Sequence, residues 1–274
     1  MIKIEGTKAK PSTRVEEGQI LSVPAFFLEL EERGKEKRPT VLTHADKKWL
    51  KSLILYEDSD LLVLNKPAGI AVQSGTKQTK SLDAMFVAYY EDIYKPRLVH
   101  RLDLDTSGVL VLAKTLTMAQ WLTHAFKERT VQKIYWALVA GVPQQKEGVI
   151  SLSLSKKQDP QGEKVRVDAQ DGVKAVTSYR VVEALGHRAA WLELMPQTGR
   201  THQLRVHCAE GLKTPILGDG KYGGKEALLL GGKTLHLHAR ALTIPLPNGK
   251  TMTFEAPLSK EMEEMFQEFG FEVG

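Results

Sequence analysis

A single cysteine in 274 residues, Cys208, excludes an internal disulfide and any zinc site built on paired cysteines. No run approaches the roughly 18 consecutive apolar residues that a membrane-spanning helix needs, and the N-terminus has no signal-type apolar core. No segment recurs at the roughly 20–50-residue period of repeat proteins. These absences make the cytoplasm, with no membrane partner, the expected setting, and a monomer is the expected state. What is present is apolar content of 42%, enough for a sizeable core. The 38 Lys and Arg against 33 Asp and Glu give a formal net charge of +5, which favours a polyanionic partner such as RNA.

Along the chain, "MIKIEGTKAKPSTRVEEGQILSVP" alternates in "IKIEG" and in "QILSV", with turn residues Gly6, Pro11, Ser12 and Gly18 between, so it reads as short strands. Strands this few bury no core of their own. "ELEERGKEKRPT" is charged, of mixed sign and without apolar period, the composition of a solvated linker. The expected division is therefore 1–27 as a strand piece, 28–47 as linker and 48–274 as the main domain. Within the latter, "SLILYEDSDLLVLNKPAG" reads as two strands around a polar turn, and "SLDAMFVAYYEDI" and "LTMAQWLTHAFKERTV" carry helical spacing, the first with Ser81 at its N-cap. From residue 133 short alternating runs predominate. A helix near 200–210 and another from about Lys260 complete an α+β pattern with a mixed, mainly antiparallel sheet and flanking helices.

Two clusters carry charge where structure alone does not require it. In "LVHRLDLDTSGVLVLAKT" (98–115), a histidine, an arginine and two aspartates precede a strand that must be covered. A plain surface turn with capping carboxylates is one reading. The other is a functional side chain presented at the end of a sheet. In "MPQTGRTHQLRVH" (195–207), a helix from Thr201 puts His202 and Arg205 on one face beside a glycine turn, which suits phosphate or carboxylate binding or, more plainly, a solvated basic helix start. Other patterns fail on context. "ALLLGGKT" (227–234) imitates a phosphate loop, but the following "LHLHAR" alternates as a strand, whereas that loop must open a helix. His236 and His238 lack a carboxylate companion for a metal, and sequence neighbours such as His207 and Cys208 rarely hold nucleophile–base geometry. No metal and no cofactor is expected.

With both clusters in view, residues 52–258 resemble the RluA-type pseudouridine synthases, and most nearly the RluC and RluD groups that act on large-subunit ribosomal RNA. "NKPAG" (65–69), "HRLDLDTSG" (100–108), "KIYWALVAG" (133–141), "GRTHQLRVH" (199–207) and "PILGDGKYG" (215–223) stand in the family's order and spacing. The N-terminal stretch resembles the strand end of an S4-type RNA-binding domain, truncated so that its two helices are missing. Leu104 stands where the family often carries a basic residue, which weakens one phosphate contact. By this resemblance the fold is of the pseudouridine synthase type, Asp103 is the catalytic aspartate, Tyr135 the active-site tyrosine and Arg205 the basic partner of the aspartate. Arg101, His100, Lys133, Arg200 and His202 are the expected RNA-contacting residues.

The implied reaction is an isomerisation of uridine, most nearly in 23S ribosomal RNA, with transfer RNA as the alternative target. Breaking the N1–C1′ bond develops positive charge on the ribose, which an ionised carboxylate at C1′ stabilises. The uridine must first be flipped out of the RNA fold. Two other classes stay in view: a non-catalytic RNA-binding module, which would not need Asp103 together with Tyr135, and a two-carboxylate glycosidase using Asp103 and Asp105, which sit too close in one turn to oppose each other across a sugar.

Overall fold

Alternation of apolar side chains builds the centre of the sheet. In "LLVL" and "VLVLA", Leu61, Val63, Val109, Val111 and Ala113 enter one buried cluster while Leu62, Leu64, Leu110 and Leu112 enter another on the opposite face. With a side-chain period of two, an unbroken apolar strand is one that must be covered on both faces. That is why the run after Asp103 carries no polar interruption.

The computed structural model describes residues 3–9, 13–22, 41–73, 81–91, 95–159 and 162–273. The chain divides into Met1–Pro39 and Thr40–Gly274. In the first unit, β1 (Lys3–Ile4), β2 (Thr7–Lys8) and β3 (Leu21–Ser22) form an antiparallel sheet of order β2-β1-β3. Pro11, Ser12 and residues 28–40 of the expected linker lie outside the described residues.

The second unit opens with α1 (His44–Ser52), followed by β4 (Ile54–Glu57), β5 (Leu61–Lys66), α2 (Leu82–Tyr89), β6 (Arg97–Leu98) and β7 (Ser107–Ala113). Then come α3 (Leu116–Lys127), β8 (Gln132–Ala140), β9 (Glu147–Asp159), β10 (Gly162–Val167), β11 (Val173–Leu185) and β12 (Ala189–Pro196). A short α4 (Gln203–Val206) runs into a π turn over His207–Gly211, and α5 (Gly224–Gly231), β13 (Leu237–Pro245), β14 (Thr251–Glu255) and α6 (Lys260–Phe269) close the chain. The sheet order is β10-β9-β11-β12-β8-β13-β7-β5-β4, with β14 on β13 and β6 on β7. The pairs are antiparallel except β13 with β7. The α+β expectation and its mainly antiparallel sheet are therefore met.

Helix α1 begins inside the range read as linker. Its start is a capping box: Thr43 Oγ1 accepts from the Asp46 amide at 3.1 Å and Asp46 Oδ2 accepts from the Thr43 amide at 2.8 Å. Leu50 is its buried anchor, packed in the cluster that also holds Phe86 and Leu102. Helix α3 covers the opposite face of β5 and β7 through Met118, Ala119, Leu122 and Ala125. Farther along the sheet, Leu138, Ala140 and Trp191 pack against Met262 and Phe266 of α6, while Leu192, Leu194 and Leu204 lie in the cluster on the other face.

At one level of the sheet three strands line up. Ala239 of β13 pairs with Gly108 of β7 on one side and with Tyr135 of β8 on the other. Gly108 has φ 110° and a Cβ there would overlap the Ala239 carbonyl. The glycine is thus what lets the strand following the Asp103 turn approach β13 closely.

Candidate active site

The Asp103 turn is held from below by a lysine. Lys66, at the end of β5 and fully buried, donates to the carbonyls of Pro67 at 2.9 Å, Leu104 at 2.9 Å and Thr106 at 2.8 Å. Burial pushes its ammonium down to about 8, with Asp105 and Asp103 opposing that shift. At neutral pH it therefore still carries the three protons that three carbonyls take. The Gly69 amide donates to the Leu104 carbonyl at 2.9 Å, and the Thr106 amide to the Asp103 carbonyl at 3.2 Å. These bonds fix the backbone on which the half-buried Asp103 side chain is presented. "NKPAG" and "HRLDLDTSG", separate in sequence, are one structure here.

The segment 198–205 is pinned by Gln203. Its Oε1 accepts from Thr198 Oγ1 at 2.7 Å and from the Arg200 amide at 3.0 Å, and its Nε2 donates to the Val176 carbonyl at 3.1 Å and Thr177 Oγ1 at 3.0 Å. Every amide hydrogen-bonding site of a buried side chain is matched, so the loop has one geometry. The expected helix is shorter than its pattern implied: four residues, entered through His202 at φ 51° and ψ 20°. A left-handed conformation at a non-glycine residue costs about 1 kcal/mol and is held only where its surroundings impose it.

Arg205 is 6% exposed and makes a two-point bond to Asp219, Nε to Oδ2 at 2.8 Å and Nη2 to Oδ1 at 2.6 Å. The direct pairing of Arg205 with Asp103 expected from the sequence is not formed. Asp219, 1% exposed, takes the guanidinium because it also offers an acceptor to the amides of Lys221 and Tyr222, both at 2.9 Å. Burial works against the Arg205 guanidinium, but the bond and charge of Asp219, with Asp103 adding at longer range, outweigh it and raise its pKa. For Asp219 itself, burial opposes ionisation, while the Arg205 bond and the two amides hold its carboxyl below the usual range. Nothing in the spacing of "HQLR" and "GDGKYG" distinguishes Asp219 from Asp103 as the arginine's partner.

A cavity of about 500 Å³ gathers Asp103, Tyr135, Arg205, Arg101, His100, Lys133, Arg200 and His202, all eight residues singled out in the sequence. The walls also include Phe126 and Lys127 from the end of α3 and Arg129 just past it, in a stretch whose helical spacing gives no sign of a site. Tyr135 packs between two core clusters, and burial, then the charge of Asp103, raises its hydroxyl pKa. Burial lowers Lys133, and Arg129 adds to that. Arg101 and Arg200 are exposed at the cavity.

His100 is not a cationic contact. Its Nε2 accepts from the Val111 amide at 2.9 Å, its ring stacks on Phe126 with centroids 4.6 Å apart, and burial followed by Lys133 pushes its pKa down to about 3. It is a neutral brace between β7 and α3. Asp105 lines a second cavity of about 660 Å³ on the other side of the turn and not the first. The histidines at and just before the start of β13 are occupied by the protein: His238 Nδ1 bonds Ser107 Oγ at 2.8 Å, and His236 Nδ1 faces the Leu217 carbonyl at 3.4 Å. Among the described residues no cluster of three or more metal-ligating side chains is found, and no helix is long and apolar enough to cross a membrane.

A mixed, mainly antiparallel sheet with flanking helices of this kind is the fold of the pseudouridine synthases. A solved structure, Human RNA Pseudouridylate Synthase Domain Containing 4, shares it at a TM-score of 0.70 with 29% identity, covering 85% of this chain and 99% of that one. Residues 60–210 match the model of the RNA pseudouridylate synthase family, and the chain belongs to that family, whose members isomerise uridine to pseudouridine. Among its relatives, RNA pseudouridine synthase 4, mitochondrial, of Arabidopsis thaliana is 44% identical over 200 residues, 65% of this chain and 42% of that protein. Ribosomal large subunit pseudouridine synthase C of Rickettsia typhi is 35% identical over 266 residues, 94% of this chain and 85% of that protein.

Proposed function

We propose that the protein isomerises specific uridines of 23S ribosomal RNA, with Asp103 as the catalytic carboxylate. The observation that carries this is the convergence of Asp103, Tyr135 and a ring of basic side chains on one cavity from stretches of chain far apart in sequence. The choice of RNA is supported by relatives, such as that of Rickettsia typhi, named for the ribosomal large subunit.

The target uridine is flipped into the cavity, and Arg101, exposed beside Asp103, holds its phosphate or fills the vacated stack. Lys133, Arg200 and His202 make further contacts at the rim. The N1–C1′ bond breaks as Asp103 stabilises the positive charge developing at the ribose. The uracil turns over the face of Tyr135, C5 bonds to C1′, the proton on C5 is lost and N1 gains one, so that atoms balance without a co-reactant. Arg205, fixed by Asp219, contributes a positive field that favours the ionised aspartate.

The test is pseudouridine mapping on 23S transcripts incubated with the wild-type chain and with Asp103→Asn. Site-specific pseudouridine with the wild type, abolished in the variant at unchanged RNA affinity, is expected. Wild-type activity retained in Asp103→Asn overturns the role of Asp103, and activity on transfer RNA transcripts alone overturns the choice of RNA.

A further inference from the structure

Tyr222 lies outside the cavity yet is tied to groups that line it. Its hydroxyl is 2.8 Å from His202 Nδ1 and accepts from the Val165 amide at 3.1 Å. Its ring lies 5.3 Å from the Arg205 guanidinium and 5.1 Å from Lys164 Nζ. Its own amide is bound by Asp219. The tyrosine is therefore immobilised from strand β10, from α4 and from the Asp219 loop at once.

These contacts decide where a proton sits. A backbone N–H can only donate, so at Val165 the phenol oxygen is an acceptor. The phenol's own proton then needs an acceptor, and among the described residues the one bonded to it is His202 Nδ1. A neutral imidazole that accepts at Nδ1 carries its proton on Nε2. Burial keeps His202 toward the neutral form, with Asp103 opposing. Nε2 has no hydrogen-bond partner among the described residues, and His202 lines both cavities that flank the Asp103 turn. The left-handed backbone of His202 is what places the ring there, a strain of the kind held at functional positions.

We propose that Tyr222 is a positioning residue that locks His202 in the Nε2–H tautomer, so that a neutral N–H donor points into the cavity toward a carbonyl oxygen of the target uracil. This rests on the reading of Asp103 as the carboxylate that works at C1′. A neutral, single-proton donor suits an uncharged carbonyl better than a phosphate, for which the cavity already holds Arg101, Arg200 and Lys133. As the glycosidic bond breaks, negative charge gathers on the uracil oxygens, and a donor fixed in advance stabilises it without reorganisation. An imidazole free to exchange tautomers presents the donor only part of the time.

The experiment combines nitrogen-15 NMR of histidine-labelled full-length protein, the His202 signals assigned by their loss in His202→Gln, with single-turnover isomerisation of a 23S transcript. The wild type should show Nε2 protonated and Nδ1 bare, and Tyr222→Phe should convert this to a mixture while the ring contacts to Arg205 and Lys164 persist. Tyr222→Phe should lower the single-turnover rate about tenfold, with half-saturation moving less than about threefold, the size and pattern of losing a positioned donor. If Tyr222 acts through His202, Tyr222→Phe combined with His202→Gln should be no slower than His202→Gln alone. A wild-type Nδ1–H tautomer, or losses that multiply in the double variant, overturns the proposal. A wild type inactive on every RNA offered would instead remove the reading of the reaction, and the tautomer would still decide the Tyr222–His202 relationship.

Discussion

Arg205 and Asp219 face each other as fork to fork, with both bonds at 2.8 Å or less and both side chains almost entirely buried. A buried pair of this kind costs desolvation on both sides, and two backbone amides help to offset it: Oδ1 accepts from Arg205 Nη2 and from the amides of Lys221 and Tyr222, and Oδ2 accepts from Arg205 Nε. The Asp219 carboxylate has the guanidinium and two amides, so its loss leaves more groups stranded than loss of the arginine does. Asp219→Ala is therefore expected to destabilise by roughly 3–5 kcal/mol, and Arg205→Met by distinctly less. Urea unfolding of the two variants checks the order, and equal midpoints would show that the two amides contribute nothing.

Lys66→Met tests the support of the turn. The variant keeps an apolar stem of similar length and removes three bonds donated to backbone carbonyls, that of Thr106 buried and those of Pro67 and Leu104 partly so, at a cost of roughly 2–4 kcal/mol. Because two of those carbonyls belong to residues flanking Asp103, the turnover rate should fall more than RNA affinity. Single-turnover rates and filter-binding affinities measured on the same preparation separate the two. A variant as active as the wild type at equal folded fraction would reduce Lys66 to a filler of the core.

Acid should unfold the chain through its buried histidines. His100 is pushed down to about 3, and His207 and His238 to about 4, in each case chiefly by burial. In the unfolded chain these groups titrate near about 6.5, so between that pH and about 4 the unfolded state binds more protons. Stability then falls as pH falls, by up to about 1.4 kcal/mol per pH unit for each group. Both His207 ring nitrogens are buried without a hydrogen-bond partner among the described residues, so His207→Leu should cost little near pH 7.5 and flatten the acid limb. Denaturation midpoints measured across that range, with and without the substitution, give the slopes directly.

Much of the sheet was legible because its strands announce themselves by period. The doubly buried strands β5 and β7, the helix from Leu116 and the helix from Lys260 stand where their patterns put them. Helix α1 starts inside the range read as linker although Thr43 and Asp46 carry its capping signal, because the mixed-sign charge without apolar period just before it outweighed the cap. The membership of the cavity was legible too, since "HRLD", "KIY" and "GRTHQLR" each bring charge or a ring to a strand end. Which partners these groups choose was not. Asp219, Tyr222, Gln203 and Lys66 act through bonds between segments that approach only in three dimensions, and neither periodicity nor charge encodes such a pairing.

The parallel contact between β7 and β13 has a consequence for the time order of folding. It joins Ser107 to His238, 131 residues apart, and sets Ala239 between Gly108 and Tyr135. A contact of such high sequence separation must close a long loop before it gains anything, and it belongs to the slow part of folding. On a ribosome, the Asp103 turn with Gly108 behind it and Tyr135 emerge close together, but β13, the strand that sets Gly108 level with Tyr135, emerges more than a hundred residues later. The nascent enzyme is therefore without a formed cavity for nearly the whole of its synthesis, and a chain that stops short of β13 carries both side chains with nothing to hold them together.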